Sequence, residues 1–310
     1  ENARDASAAT ALTTLEGTLR NYRVIQGEYP EQFDSLANAD ATATDASGAL
    51  QLMSTETKAF FGQLVIPQTN ATDTTDSGAL NEITHAIAAS IRDAGLEELQ
   101  AVQGATTWNT GFVPNLAMNE SYQVGVTVNP GTELGFPDLD VSGAIIYDGA
   151  AVTSDVAISI VPSGGDSKCG VYTDNDLRSA FFDADGTVAT PLTNNAPLNL
   201  ISDALDGDGC NLVIAVGVGK EVPGATLGSS VEIGQVPTVG TNNINPKNSY
   251  ARAIALFLVA TDDEDVGVVG RIELDEILPK ARLIALVDPE GRTIDEIVAA
   301  ATAATDDDEG

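Results

Sequence analysis

Leu12-Thr13-Thr14-Leu15-Glu16-Gly17-Thr18-Leu19-Arg20-Asn21-Tyr22, continued by Arg23-Val24-Ile25-Gln26-Gly27-Glu28-Tyr29-Pro30, is the stretch from which the fold is read. Leu12, Leu15, Leu19 and Tyr22 recur at steps of three, four and three, the spacing that lines one face of an α-helix. The pattern predicts a helix over residues 3–24, with Arg4, Asp5, Glu16, Arg20 and Arg23 mostly on its other faces. Gly27 ends it and Pro30 forbids its continuation. Gly17 inside the helix costs roughly 1 kcal/mol relative to Ala, so the helix needs a packing partner to hold.

Downstream the pattern divides in two. Residues 37–78 are rich in Ala, Thr, Asp, Ser and Gly; the apolar interruption Leu50–Ile66, with Leu52, Phe60, Phe61, Leu64 and Val65, reads as a short helix between polar loops. Residues 79–102 read as helix again, with Leu80, Ile83, Ile87 and Ile91 on one stripe and Gly95 bending or ending it. From about Tyr122 the period changes to that of strands. Tyr122–Val128, Ala144–Tyr147, Val156–Val161, Asn211–Val218, Tyr250–Thr261, Val266–Leu274 and Ala281–Val287 are β-rich runs bounded by Gly, Pro, Asn and Asp. Short strands joined by turns predict a mainly antiparallel sheet rather than repeated βαβ units. Asp288-Pro289-Glu290-Gly291 is a turn and Thr293–Thr302 a closing helix. The fold class expected is α+β. Its segments are an N-terminal helix over 1–30, a helical and loop segment over 31–119, a β-rich head over 120–305 and an acidic tail over 306–310.

Charge narrows the function. The 310 residues carry 46 acidic and 14 basic side chains and one histidine, a formal net charge of −32. Nucleic acid and anionic membrane surfaces reward Lys and Arg, so neither is an expected partner. Apolar residues make up 43%, enough to bury a core, so the acidity does not imply disorder. It fits a surface adapted to saline surroundings, or an extracellular surface loaded with cations. The longest uninterrupted apolar stretch, Ala253–Ala260, falls far short of the roughly 20 residues of a membrane span.

The N-terminal stretch resembles the type IV pilins and the pseudopilins of type II secretion. The resemblance is carried by Leu12, Leu15, Leu19 and Tyr22 on the helix, by Gly27-Glu28-Tyr29-Pro30, and by Phe33-Asp34-Ser35-Leu36. It implies a pilin-like fold in which a stem helix lays its apolar face on an antiparallel sheet, enlarged here by insertions. Gly27 would end the stem and Pro30 redirect the chain, while Tyr29 and Leu36 pin the turn to the core. It also implies a structural role, not catalysis, in an exported filament. Such a subunit is anchored in the inner membrane before assembly, then sits in a periplasmic or extracellular filament. Its partners are copies of itself or related subunits, and the secretion or pilus assembly machinery. The membrane would be met only through an apolar N-terminal helix, so about 20 to 28 apolar residues are expected before Glu1. The alternatives are a secreted carboxylate-using hydrolase or polysaccharide-binding protein, and a surface-layer or shell protein of a salt-adapted organism.

Sites for chemistry are few. A single histidine, His85, lowers the prospects of Ser-His-Asp, Cys-His and multi-histidine metal sites, and its helical surroundings suit packing. Cys169 and Cys210 lie in loop-like sequence and read either as a disulfide, favoured by export, or as two buried free thiols. A bridge closing about 40 residues would contribute roughly 4 kcal/mol in the chain-entropy picture. Asp183-Ala184-Asp185-Gly186 and Asp206-Gly207-Asp208-Gly209, with Asp174-Asn175-Asp176, alternate carboxylates in the manner of calcium loops. None completes an EF-hand pattern, and ordinary Asp-Gly turns are the simpler reading of them. Calcium, through Asp183, Asp185, Asp206 and Asp208, is the one cofactor the sequence suggests; no catalytic residue stands out.

Overall fold

The computed structural model describes residues 2–30, 32–36, 62–66, 86–96, 98–101, 133–135, 138–139, 145–147, 150–151, 156–161, 181–183, 211–218, 239, 241, 244–246, 250–261 and 274–306. Helix α1 spans Asn2–Gln26. Its inner face is the one the leucine spacing dictates: Leu12, Leu19 and Tyr22 are buried and Leu15 packs against the same core half-covered. Ala8 and Ala9 extend that face toward the N-terminus, so α1 is packed from its first turns onward rather than projecting from the sheet. The outer face is built of small polar residues. The hydroxyls of Thr10, Thr13, Thr14 and Thr18 each donate to the carbonyl four residues earlier at 2.8–2.9 Å, which satisfies them without leaving the helix. Gly17 lies on that exposed side with nothing near the position of a Cβ.

The main sheet is organised around β10 (Asn211–Gly217) and β11 (Ile254–Thr261), which pair antiparallel along their length. Every position of β10 and all but the last of β11 are buried, as expected of strands covered on both faces. β12 (Ile277–Val287) pairs antiparallel with β11 on its other side. The far edge of β10 is shared: β8 (Val156–Val161) takes Val213 to Ala215, and β1 (Gln32–Ser35) takes Gly217. Beyond β8 lie β2 (Gly62–Ile66) and β9 (Phe181–Asp183). Beyond β1 lie β3 (Glu98–Ala101), parallel to it, and β4 (Glu133–Gly135). A small separate sheet joins β5 (Asp138–Leu139), β6 (Ile145–Tyr147) and β7 (Ala150–Ala151).

Alternation along the strands divides the core. Ile214, Val216, Ala255, Phe257 and Val259 belong to one cluster with α1, with residues 86–93 (helix α2) and with the C-terminal helix α3 (Ile294–Asp306). Val213, Ala215, Ile254, Leu256 and Leu258 face the other way and pack with Leu36 and Tyr250. The class is therefore α+β, with a curled sheet that is antiparallel apart from the β1–β3 pair.

Helix α3 starts where its residues allow. The Glu296 N–H donates to Thr293 Oγ1 and the Thr293 N–H to Glu296 Oε2, a reciprocal cap on the first turn. The turn before it closes through Gly291, at φ +83°, whose N–H donates to the Asp288 carbonyl at 2.9 Å.

Two expectations are corrected. Residues 62–66, assigned to a short helix, form β2, because Leu64-Val65-Ile66 is a strand run once β8 and β9 flank it. The helix expected over 79–102 is described over 86–93; Gly95, at φ +108°, ends it and the chain continues as β3. Three strands of the main sheet thus fall within 31–119, the part expected to be helix and loop. Tyr122–Val128, residues 266–273 of the Val266–Leu274 run and residues 307–310 of the acidic tail lie outside the described residues.

Leu19→Ala removes a fully buried side chain and should lower the unfolding free energy by about 2–5 kcal/mol. Gly17→Ala, on the open outer face, should raise it by about 1 kcal/mol. Denaturant titration of the two variants beside the parent checks both, and equal stabilities would show that α1 is not packed as described.

Candidate functional site

Buried polar groups meet first at the junction between α1 and the sheet. Gly27 takes φ +87°, and its N–H donates to the Arg23 carbonyl at 2.8 Å, the left-handed ending that a side chain would strain. Two residues on, the Tyr29 N–H donates to the Ala94 carbonyl at 2.8 Å. Gly95 makes that approach possible, since a Cβ there would run into the Tyr29 backbone. The Tyr29 ring stands edge-on to Phe257, centroids 5.1 Å apart, and Phe33 meets Phe257 in the same way at 5.8 Å.

The Tyr29 hydroxyl accepts two hydrogen bonds, from the Leu283 N–H at 3.2 Å and from Arg23 Nη1 at 3.0 Å. Leu283 is available for a reason visible in the register. Leu256 pairs with Ala285 but Phe257 pairs with Leu283, so Ile284 is an extra residue in β12. Such a bulge interrupts the ladder and leaves a backbone group for another partner. An unpaired buried N–H costs about 1–3 kcal/mol, so the phenol and the bulge depend on each other.

A second polar pair lies on the opposite face. The Tyr250 hydroxyl donates to Asp34 Oδ2 at 2.9 Å, with both residues buried. Burial, and then the Asp34 charge, push the Tyr250 phenol well above its usual range, so it stays a neutral donor. Gly217, opposite Asp34 in the ladder, leaves the space the phenol crosses; a Cβ there would collide with the hydroxyl.

The third cluster ties the start of α1 to the turn after β12. Arg292 reaches Asp5 at 3.1 Å, Asp288 at 2.8 Å and Glu290 at 3.2 Å. Asp288 is fully buried and its Oδ1 also accepts the N–H groups of Glu290 and Arg292 at 2.9 Å. Thr241 donates its hydroxyl to Glu290 at 2.7 Å and accepts the Ile244 N–H at 3.0 Å, drawing Thr241 and Ile244 into the same cluster. Burial raises the Asp288 carboxyl, against the lowering effect of its bonds to Arg292. Burial alone would lower Arg292, but the charge and hydrogen bond of Asp288 outweigh it and hold the guanidinium above its ordinary value.

Of the residues the sequence singles out, Leu12, Leu15, Leu19, Tyr22, Gly27, Tyr29, Pro30 and Leu36 stand in or beside this junction. Leu36 packs on the sheet face opposite Tyr29, so the two brace the turn from different sides. Asp183 pairs through its backbone with Gly62 in the β2–β9 ladder. His85, Cys169, Cys210, Asp185, Asp206 and Asp208 lie outside the described residues. Among the described residues no group of three or more His, Cys, Asp or Glu is placed to hold a metal. Phe257, Tyr250 and the Asp5–Arg292 pair join the site without a mark in the sequence pattern. The pair is separated by 287 residues, and nothing local announces it. Asp288 and Arg292, four apart across a turn, did carry a readable signal. The site's chemistry is that of a brace: hydrogen-bonded, charge-paired and buried.

Comparison of the chain with protein-family models, with curated proteins and with solved structures finds no match.

The raised Asp288 carboxyl gives a signed prediction. The folded state holds that proton more readily than the unfolded chain, so the residue's contribution to stability falls as pH rises from about the ordinary 3.8 through the raised folded value, then levels. The unfolding free energy of the parent minus that of Asp288→Asn should therefore shrink across this window. A difference that grows with pH would mean that the bonds to Arg292 outweigh burial.

Proposed function

We propose that this chain is the head and distal stem of a pilin-like or pseudopilin-like filament subunit, whose work is structural rather than catalytic. The observation that supports this most is the junction: a helix with Leu12, Leu19 and Tyr22 buried, ended by Gly27 and locked by Tyr29. A subunit that transmits load from a helix to a head needs those two parts to move as one body. A helix that merely covered a sheet would need the apolar face but not the locked turn.

On this reading the subunit is exported, is held in the inner membrane before assembly, and then joins a periplasmic or extracellular filament of the type IV pilus or type II secretion kind. Its partners are copies of itself or related subunits, and the assembly machinery. No described helix is long and apolar enough to cross a membrane; the reading calls for an apolar anchor helix continuous with α1. The acidic surface would face salt water or bound cations.

The coding sequence upstream of Glu1 tests the proposal. It should encode about 20 to 28 predominantly apolar residues that continue α1 in helical register, beginning after a Gly and carrying one Glu near their start. A cleavable secretory leader with a small-x-small site abutting Glu1 would overturn the reading, leaving a secreted hydrolase or polysaccharide-binding protein in its place.

A further inference from the structure

β12 is an edge of the sheet, pairing with β11 and with no other strand among the described residues. Its first half is irregular. Arg282 pairs with Leu258 and Ile277 with Ala260, so Leu278-Pro279-Lys280-Ala281 stand opposite the single residue Val259. Ala281 is fully buried and tethers this wide bulge to the core, while Pro279, Lys280 and Arg282 are exposed. A large bulge and a proline without an N–H both block the addition of another strand. Whatever meets this edge therefore meets it through side chains.

Those side chains are cations in a chain that has few. Acids outnumber bases 46 to 14, so a base has carboxylates of its own chain in excess, and Arg20 and Arg292 are indeed paired with them. Lys280 and Arg282 make no ion pair with a described carboxylate. Arg20, on α1, also reaches this strand, at the carbonyls of Leu283 and Ile284 (3.4 and 3.5 Å), but its charge is taken by Glu16 at 2.7 Å. Two cations with no described carboxylate partner thus stand on one strand of a molecule whose net charge is −32.

We propose that the β12 bulge, through Lys280 and Arg282, is a docking surface for a carboxylate-bearing face of a second copy of this chain. The proposal rests on the filament reading for its occupant and on charge complementarity for its place. An identical patch across a two-fold axis would set cation against cation. Pairing cations with an acidic face elsewhere on the next copy is a head-to-tail contact, the kind that repeats into a filament when it does not close. Repulsion between the copies' net charges acts at long range and is screened over about 8 Å at physiological ionic strength, whereas touching pairs are screened less. Association should therefore strengthen as salt rises from low to moderate concentration.

The test mixes equal amounts of the ¹⁴N- and ¹⁵N-labelled chain at moderate salt, followed by zero-length carbodiimide cross-linking and mass spectrometry. Lys280 should be joined to an Asp or Glu of the opposite isotope. In sedimentation experiments K280E/R282E should weaken self-association at least tenfold, while Arg4→Glu, an exposed cation at the other end of α1, should leave it unchanged. Lys280 links confined to one isotope, undiminished association of K280E/R282E, or a parent that stays monomeric at every salt concentration would each overturn the proposal. So would binding of an anionic polysaccharide at Lys280 and Arg282 in place of a second copy. Filaments that form from full-length K280E/R282E as readily as from the parent would remove this docking surface and leave the filament reading standing. A secretory leader abutting Glu1 would remove the filament reading itself.

Discussion

The hydrogen bond from the Leu283 N–H to the Tyr29 hydroxyl is the contact on which the arrangement of helix and sheet depends. It joins residues 254 apart in the chain, and each end of it exists because of something else. The N–H is free because Ile284 bulges from the ladder, and the phenol is in place because Gly27 ends α1 and Gly95 lets Ala94 come up to the Tyr29 backbone. Apolar burial along α1 supplies most of the energy, with about 1.5–3 kcal/mol for each fully buried Leu. Burial is non-directional, however, and would tolerate a helix that slid or rotated. The directed bond to Tyr29, the Phe257 contact and the Asp5–Arg292 pair fix its position.

Charge is distributed with the same economy. A surface this acidic repels itself and destabilises a folded chain. The buried polar groups that hold the fold nevertheless include carboxylates: Asp5, Asp34 and Asp288 are all buried. Each is given a donor. Arg292 serves Asp5 and Asp288, and Tyr250 serves Asp34. Removing one partner of such a pair leaves the other buried and uncompensated, so Arg292 and Tyr250 matter more to this fold than their number among 310 residues suggests.

How far the sequence reveals this depends on whether a signal is local. The α1 face, the stop at Gly27 and the turn at Asp288–Gly291 follow from spacing and residue type within a few positions, and the structure has them where the pattern puts them. β8 coincides with the run Val156–Val161, and β10 with all but the last residue of Asn211–Val218. β2 departs from the helix expected there because a short apolar run has no period of its own and takes its conformation from β8 and β9, far away in sequence. The long-range contacts were invisible for a related reason. Nothing around Asp5 points to Arg292, and nothing around Tyr29 points to a bulge at Ile284. Tyr29 and Leu36 are named as anchors through the resemblance to the pilin stem, but the sheet faces they brace are not legible in the sequence.

The account requires helix and sheet to unfold as one unit, and native-state hydrogen exchange of the amides of Leu12 to Tyr22 beside those of Phe257 and Leu258 in β11 tests this most directly. The predicted result is a shared opening free energy for the two sets, with denaturant lowering both along the same line. Amides of α1 that open with several kcal/mol less than β11, by a route insensitive to denaturant, would show a helix that frays independently and would contradict the lock at Tyr29.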